Sequence, residues 1–292
     1  MSRGVRISRR RRWALGAGAV VLTWAVFLLV TCPSNDRDWT PNERVLPFAE
    51  FAGDSVRIHN IRDTRYRSAT DYTPAYYDRA FDLRDLESLW FVVAPFSRWR
   101  GVAHTFLSFG FRGPDGPRYV AISVEARKER GETYHFLKGL FRWYELIYVV
   151  ADERDVIRLR TDHFGEDVYL FPMRATPARL RQLFTAMLAR ANRLRERPEF
   201  YNTLTQNCTN TIAHHVNSLV PGRVPFSLNV VFPGYADRLA YDLGLIATEL
   251  PYDSIRPRFR ITERARAAGD APDFSRRIRR EATDASPPPR LR

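Results

Sequence analysis

The chain contains only two cysteines among its 292 residues, which limits the chemistry that cysteine can supply. Cys32 and Cys208 stand far apart, and neither belongs to a group with zinc-ligand spacing, so no metal ion is expected. A disulfide between them is not expected either, because Cys32 ends an apolar run whereas Cys208 lies in a polar, site-like segment. Internal repeats are absent, and no cofactor is expected.

Most of the chain also lacks an excess of charge, although the formal net charge is +13. Residues 1–12 carry six arginines and no acid, and residues 251–292 carry eleven arginines and six acids, which leaves only +2 for residues 13–250. Because the basic residues lie at the two ends, the distribution argues against a groove for DNA or RNA. No nucleic-acid partner is expected.

One long apolar run, residues 13–31, follows the basic segment 1–12. Its apolar part, Trp13 to Val30, would reach about 27 Å as a helix, just enough for the hydrocarbon core of a bilayer. The positive-inside rule then places the N-terminus in the cytoplasm and the rest of the chain outside it. A cleaved signal peptide is the alternative, but the end of the run is a poor cleavage site. The sequence therefore predicts one transmembrane helix.

Three segments follow this run. Residues 32–46 are polar and contain proline, which is typical of a linker. Residues 47–250 carry the apolar content of a folded domain. Residues 251–292 are rich in arginine, alanine and aspartate, and they predict a basic, largely disordered tail because such a composition buries little surface.

Within the domain, strand-like runs come first and helical periodicity comes second. Residues 103–111 and 119–126 flank a Gly-Pro-Asp-Gly turn and predict a hairpin. Strand-like residues 145–151 and 156–160 flank a charged turn at residues 152–155 and predict a second hairpin. After Thr176, apolar residues recur at spacings of three and four and predict an amphipathic helix. This order favours an α+β domain with an antiparallel sheet and packed helices.

Cys208 is the first candidate for chemistry. Asn207 before it is a good N-cap, and Ile212, Val216 and Leu219 recur with helical spacing after it. Cys208 would then lie in the first turn of a helix, where the backbone amides and the helix dipole favour a thiolate. A buried structural cysteine is the alternative, but the polar neighbours of Cys208 argue against it.

A cysteine nucleophile needs a histidine as its base, and the chain offers six: His59, His104, His135, His163, His214 and His215. His215 shares the predicted helix with Cys208 but lies about 10.5 Å along it, too far to take its proton. With a two-residue turn in the first hairpin, His104 faces Glu125 on the neighbouring strand. The register therefore predicts His104 as the base and Glu125 as the group that orients it. A core histidine and a solvent-facing glutamate remain the alternatives.

A cysteine at a helix start and a histidine on a strand form the papain-like arrangement, and here the histidine comes first in the chain. That order resembles the circularly permuted NlpC-type enzymes, which include the lecithin:retinol acyltransferase group and carry their nucleophile in an Asn-Cys motif. Four phrases more specifically resemble the Lnb N-terminal periplasmic domain family: residues 103–109 (AHTFLSF), 122–127 (ISVEAR), 144–146 (YEL) and 201–209 (YNTLTQNCT).

This resemblance, over roughly residues 55–225, implies a permuted papain-like fold and a thiol-dependent lipoprotein N-acyltransferase that uses phospholipid as acyl donor. The resemblance implies that Cys208 and His104 are the catalytic residues, and Glu125 matches a family position. The enzyme that gives the family its name has further membrane-embedded sequence after this domain. We therefore expect the chemistry to carry over more readily than the substrate.

The leading hypothesis is a cysteine acyltransferase or acyl hydrolase, anchored in the bacterial inner membrane, with its catalytic domain in the periplasm and phospholipid or lipoprotein as partner. The Cys208 backbone N–H would stabilise the oxyanion. The Asn202 or Gln206 side chain would help it, and four residues in all are candidates for stabilising the oxyanion or positioning the substrate: Tyr201, Asn202, Gln206 and Asn207. Two alternatives stay open, a cell-wall peptidase or amidase of the same fold and a non-catalytic binding module. A polar cleft above Cys208 would favour the first, and a His104–Cys208 separation beyond about 6 Å would favour the second.

Overall fold

The computed structural model describes residues 9–279, which form an α+β fold. The strands are β1 (Phe48–Ala52), β2 (Ser55–Arg62), β3 (Arg65–Tyr66), β4 (Tyr72–Thr73), β5 (Tyr76–Asp82), β6 (Leu86–Pro95), β7 (Ala103–Phe111), β8 (Arg118–Arg127), β9 (Glu145–Ala151) and β10 (Tyr169–Pro172). The α-helices are α1 (Arg9–Val30), α2 (Glu153–Arg158), α3 (Pro177–Glu196), α4 (Cys208–Leu219), α5 (Leu228–Val231), α6 (Ala236–Asp242), α7 (Tyr252–Phe259), α8 (Thr262–Ala268) and α9 (Phe274–Arg277). Short 3-10 turns cover Leu83–Asp85, Lys138–Leu140 and Pro233–Tyr235, and a π-helical turn covers Leu159–His163.

Eight of these strands form one sheet with the order β1-β2-β9-β8-β7-β6-β10, to which β5 adds beside β2. Most neighbouring strands are antiparallel, but β2 and β9 are parallel and pair at Arg62 and Ala151. The predicted antiparallel sheet is therefore wrong in this respect, and the sheet is mixed. The physical reason is that the chain travels from β2 to β9 through four other strands of the sheet and not through a tight turn.

The hairpin of β7 and β8 has the predicted register. Its pairs run from Phe111 and Arg118 to Phe106 and Ser123. The Gly116 backbone N–H donates to the Gly113 carbonyl at 3.2 Å and closes the turn. Gly116 has a φ of 114°, a value that favours glycine. The register places His104 and Glu125 on one face, at the end of the hairpin away from this turn.

Helices cover both faces of the sheet. On one face, α3 packs with the predicted apolar stripe, whose buried members are Leu180, Leu183, Phe184, Met187, Leu188, Ala191 and Leu194. Ile212 of α4 joins the same core. On the other face, residues of α2, α8 and α9 pack against Val92, Phe106 and Val149 of the sheet. Each face therefore has its own apolar core, as alternation along the strands requires.

The predicted transmembrane helix at residues 13–31 is not supported and must be corrected. Residues Arg9–Val30 do form a helix, α1, but within residues 9–279 no helix is long and apolar enough to cross a membrane. Four arginines fill the first turn of α1, and the apolar run after them is shorter than the roughly 20 residues that a span usually needs.

The predicted linker, residues 32–46, packs on the domain. Trp39 is buried, and its indole N–H donates to the Asn35 carbonyl at 2.8 Å. The guanidinium of Arg127 lies 4.1 Å from the Trp39 ring and donates to the Asn35 side chain. A cation–π contact and these hydrogen bonds thus hold the segment in place.

Two further expectations differ from the structure. Residues 152–155 do not turn a hairpin, because Asp152 accepts a hydrogen bond from the Arg154 backbone N–H and caps α2. The expected disordered tail instead forms α7, α8 and α9, with Ile255, Phe274 and Ile278 buried. Apolar residues spaced among the arginines give these short helices a face to bury. The expectation for residues 1–8 and 280–292 lies outside the described residues.

Candidate active site

Cys208 is the first residue of α4, and its position follows from how that helix begins. The Asn207 side chain accepts a hydrogen bond from the Asn210 backbone N–H at 2.8 Å, which makes it the predicted N-cap. Asn207 Nδ2 in turn donates to the carbonyls of Thr203 and Val231, at 2.9 and 3.1 Å. Cys208 is therefore fixed in the first turn, where free amides and the helix dipole favour a thiolate.

The imidazole of His104 lies at the start of β7 and faces two side chains of β8. Its Nε2 is 3.5 Å from Glu125 Oε1 and 2.6 Å from Ser123 Oγ. The Ser123 hydroxyl donates to Glu125 Oε1 at 2.7 Å, so its oxygen must accept from His104. Nε2 is therefore the protonated nitrogen that is held by β8, and Nδ1 remains for Cys208.

The sheet opens where the thiol lies. The pairing of β7 with β8 ends at Phe106 and Ser123, whereas its pairing with β6 continues to Ala103. The start of α4 fits beside this opening, with the hydroxyls of Thr105 and Thr209 at 2.9 Å. The side chain and the backbone N–H of Thr105 both act on Cys208 and help to lower the pKa of its thiol. The strand therefore supplies donors to the sulfur in addition to the histidine.

Opposing influences set the charges of the three central groups. Burial raises the pKa of Cys208, but the hydrogen bond and charge of His104, with the donors of Thr105, outweigh it and lower the pKa to about 7. Burial and the charge of Arg160 lower the pKa of His104, yet its bonds to Cys208 and Glu125 prevail and raise it. Burial raises the pKa of Glu125, and His104 nevertheless holds it well below the usual range. An imidazolium and a carboxylate are thus favoured at neutral pH, where about half of the thiol is ionised.

Arg160 adds a charge that sequence reasoning missed. It belongs to the π-helical turn Leu159–His163, a kind of turn that is frequent at functional sites. Its guanidinium pairs with Glu166 at 3.1 Å, and its charge lowers the pKa of both His104 and Glu125. The sequence placed residue 160 on a strand, so no signal pointed to this position.

The arrangement has a counterpart among known protein families. The sequence model of a family described as the Lnb N-terminal periplasmic domain matches residues 72–234, more than half of the chain. The chain belongs to this family. The matched segment contains His104, Ser123, Glu125 and Cys208, and the family places this domain in the periplasm. No curated protein and no solved structure matches the chain, so the resemblance to permuted NlpC-type folds is not confirmed.

Two of the predicted positioning residues of this Lnb N-terminal periplasmic domain are engaged elsewhere. Asn202 Oδ1 accepts from the backbone N–H groups of Leu204 and Thr205, each at 3.0 Å. Gln206 Nε2 donates to Glu199 at 3.4 Å. Both side chains, like that of Asn207, therefore shape the loop that leads to Cys208. A direct role in binding the oxyanion does not follow from their contacts.

Tyr201 differs from these three residues, because it lies within electrostatic reach of the thiol. Its backbone N–H donates to the Tyr144 carbonyl at 2.9 Å, which anchors the loop beside β9. Burial raises the pKa of Tyr201 well above its usual range, and the charge of Cys208 and contact with Tyr134 raise it further. Tyr201 is therefore a neutral hydroxyl near the sulfur.

The remaining candidates lie apart from Cys208. His215 Nε2 is 2.7 Å from the Tyr148 hydroxyl, and burial, followed by the charge of His214, lowers the pKa of His215 to about 4. This neutral histidine is a core residue of α4. Among the residues that the structure describes, no cluster of histidine, cysteine, aspartate and glutamate is arranged to hold a metal ion. Cys32 is exposed and is not bonded to Cys208.

Ser123 was missed by the sequence reasoning, and its role can be tested. Ser123→Ala removes the acceptor of the His104 N–H, so we expect the imidazolium to be less stable and the thiolate to be scarcer. A lost hydrogen bond of about 1 kcal/mol corresponds to roughly fivefold slower alkylation of Cys208 by iodoacetamide at pH 6. Ser218→Ala, at the far end of α4, is the control and should leave the rate unchanged. Equal rates for Ser123→Ala and the parent protein, with both folded, would contradict this role.

Proposed function

We propose that the protein is a cysteine acyltransferase or acyl hydrolase that acts on the acyl groups of phospholipids or lipoproteins. The observation that carries the proposal is the grouping of Cys208, at the start of α4, with His104, whose Nε2 is held by Ser123 and Glu125 of β8. The interaction with His104 outweighs burial and lowers the pKa of the thiol to about 7. A cysteine that is ionised at neutral pH beside a histidine is an activated nucleophile. Glu125 and Ser123 act as positioning residues, because they hold the histidine and do not face the thiol.

The proposed reaction has two steps. The Cys208 sulfur attacks the carbonyl carbon of an acyl ester, the ester C–O bond breaks, and His104 gives its proton to the leaving alcohol oxygen. An amine or water then attacks the resulting thioester, and His104 takes the proton that this nucleophile loses. The sulfur leaves as the thiolate, so an amide or a free acid forms and the enzyme returns to its starting state.

The oxyanion of each step needs donors near the sulfur. The first N–H groups of a helix have no partner within the helix, and α4 presents those of Cys208 and Thr209. The Tyr201 hydroxyl, which is neutral and interacts electrostatically with the thiol, is a candidate side-chain donor. These groups replace Asn202 and Gln206, whose side chains bind the loop and Glu199.

Two features favour this proposal over its alternatives. The interaction of His104 with Cys208 shifts the pKa of both groups, an activation of the thiol that a binding module does not need. The loops around the thiol expose large apolar side chains such as Trp99 and Leu204. An acyl chain matches such surroundings better than the polar peptide that a cell-wall peptidase would bind.

The test is capture of the thioester. The protein is mixed with vesicles of phosphatidylethanolamine and phosphatidylglycerol that carry an isotope-labelled acyl chain, and is then quenched in acid. We expect mass spectrometry to find the acyl group on Cys208, released by neutral hydroxylamine, in the parent protein and in Cys32→Ala. Cys208→Ala should carry none, and His104→Ala roughly a hundredth or less of the parent rate. Labelling of Cys208→Ala, or none in the parent protein, would overturn the proposal.

A further inference from the structure

Three loops meet at the end of the sheet that carries His104. The strand order and directions place the β6–β7 loop (96–102) and the β8–β9 loop (128–144) at this end. The segment 220–232 joins them after α4, since Val231 accepts a hydrogen bond from Asn207 at the start of that helix. The three loops therefore lie at the same end of the sheet as His104 and the start of α4.

Contacts between two of the loops fix their relative positions. Just after segment 220–232, the Gly234 backbone N–H donates to the Gly101 carbonyl at 3.1 Å. A Cβ atom at position 234 would come within 1.7 Å of the Arg100 carbonyl oxygen, so only glycine allows this approach. The ring of Trp99 packs edge-on against Phe232 at 5.0 Å. These contacts hold the two segments in a fixed arrangement.

The three loops expose large apolar side chains. Phe226 is 86% exposed, Leu228 68% and Leu137 56%. With them we define the aromatic rim as Phe96, Trp99, Leu137, Trp143, Phe226 and Leu228. Single exposed apolar residues are common on soluble domains, but a group from three loops at one end of a sheet indicates an interaction surface.

The charges among these residues indicate what the surface contacts. The three loops, 96–102, 128–144 and 220–232, carry two acids, Glu129 and Glu132, and seven basic residues: Arg98, Arg100, Lys128, Arg130, Lys138, Arg142 and Arg223. Lys138 lies 4.4 Å from the ring of Trp143, so basic and aromatic groups are interleaved. Aromatic and basic side chains on one face suit the headgroup region of an anionic bilayer.

We propose that the aromatic rim docks on the surface of an anionic phospholipid bilayer. Apolar side chains enter the headgroup region, and the basic residues face the lipid phosphates. Docking in this orientation brings the end of the sheet that carries His104 and Cys208 to the level of the acyl esters. That last consequence rests on the proposed function, whereas the docking itself needs no reactive thiol.

The experiment measures the environment of one position of the aromatic rim, in a protein that lacks the Cys208 thiol. In the full chain with Cys32→Ser and Cys208→Ala, a polarity-sensitive fluorophore is attached at Phe226→Cys or, as the matched control, at Asp115→Cys. Asp115 is exposed in the turn between β7 and β8, at the opposite end of the sheet. With vesicles of phosphatidylglycerol and phosphatidylethanolamine, we expect the emission at position 226 to shift to the blue and its quenching by iodide to fall. The label at position 115 should show neither change.

A charge variant completes the test. Arg98→Ala should weaken the vesicle titration at position 226 by roughly fivefold, whereas Arg112→Ala, at the far end of β7, should not. Iodide quenching at position 226 that persists while the protein is bound to vesicles would overturn the proposal. So would equal binding to phosphatidylcholine vesicles, or a blue shift with peptidoglycan fragments and not with vesicles. Because Cys208 is absent, none of these outcomes depends on acyl transfer.

Discussion

Replacing His104 by alanine is expected to slow the alkylation of Cys208 at pH 7 by roughly 50-fold. The thiolate is the reacting species, and with a pKa of about 7 half of the thiol is ionised at this pH. Burial raises the pKa of Cys208, and the imidazolium is the main group that offsets this effect. His104→Ala removes that group. The pKa then returns to the ordinary value of 9.0 or above, and about one thiol in a hundred remains ionised at pH 7.

The measurement is the rate of iodoacetamide alkylation between pH 5 and 10, in a Cys32→Ser background. Reactivity rises with pH through the pKa of the thiol, so the midpoint for the parent protein should lie near pH 7. The midpoint for His104→Ala should lie at least about two pH units higher. His214→Ala is the matched control, because it removes an exposed histidine from the same helix as Cys208. Coincident profiles for His104→Ala and the parent protein would exclude His104 as the partner of the thiol.

Local patterns in the sequence predict much of this site. The Gly-Pro-Asp-Gly turn sets the register of β7 and β8, and a period of two then brings His104 and Glu125 to one face. Asn207 caps α4 as expected and fixes Cys208 in its first turn. These features depend on neighbours in sequence or on one hairpin, so short-range rules are sufficient for them.

The residues that were missed depend on contacts between distant segments. Ser123 shares the face of Glu125, but its part in holding His104 depends on side-chain geometry at the opening of the sheet. Arg160 approaches His104 because residues 159–163 form a π-helical turn in place of a strand. No periodic pattern in the sequence predicts such a turn. The parallel pairing of β2 with β9 is likewise a property of the whole sheet.

The C-terminal segment is the clearest case of a contact between distant residues that local sequence patterns do not predict. Its many arginines predict a solvated tail when they are read as composition alone. In the structure, the Arg279 guanidinium is buried over the rings of Tyr119, at 3.6 Å, and Trp90, at 4.6 Å. It also donates to both carboxylate oxygens of Glu153, one of them at 2.7 Å, and Glu153 further accepts from Ser108. A charge in α2 thus finds its partner more than a hundred residues later.

Arg279→Ala is therefore expected to destabilise the protein by about 3–5 kcal/mol, because it leaves the fully buried Glu153 without its countercharge. Such a loss corresponds to a fall of roughly 10 °C in the melting temperature, which calorimetry would detect. Arg277→Ala, which removes an exposed arginine two residues earlier, should change the melting temperature little. The double variant Glu153→Gln with Arg279→Met removes both charges and should recover most of the loss.

If Arg279→Ala melts at the temperature of the parent protein, the segment after residue 251 is not docked through this pair. If the double variant is no more stable than Arg279→Ala, lost packing against Tyr119 and Trp90, and not the unpaired carboxylate, accounts for the effect.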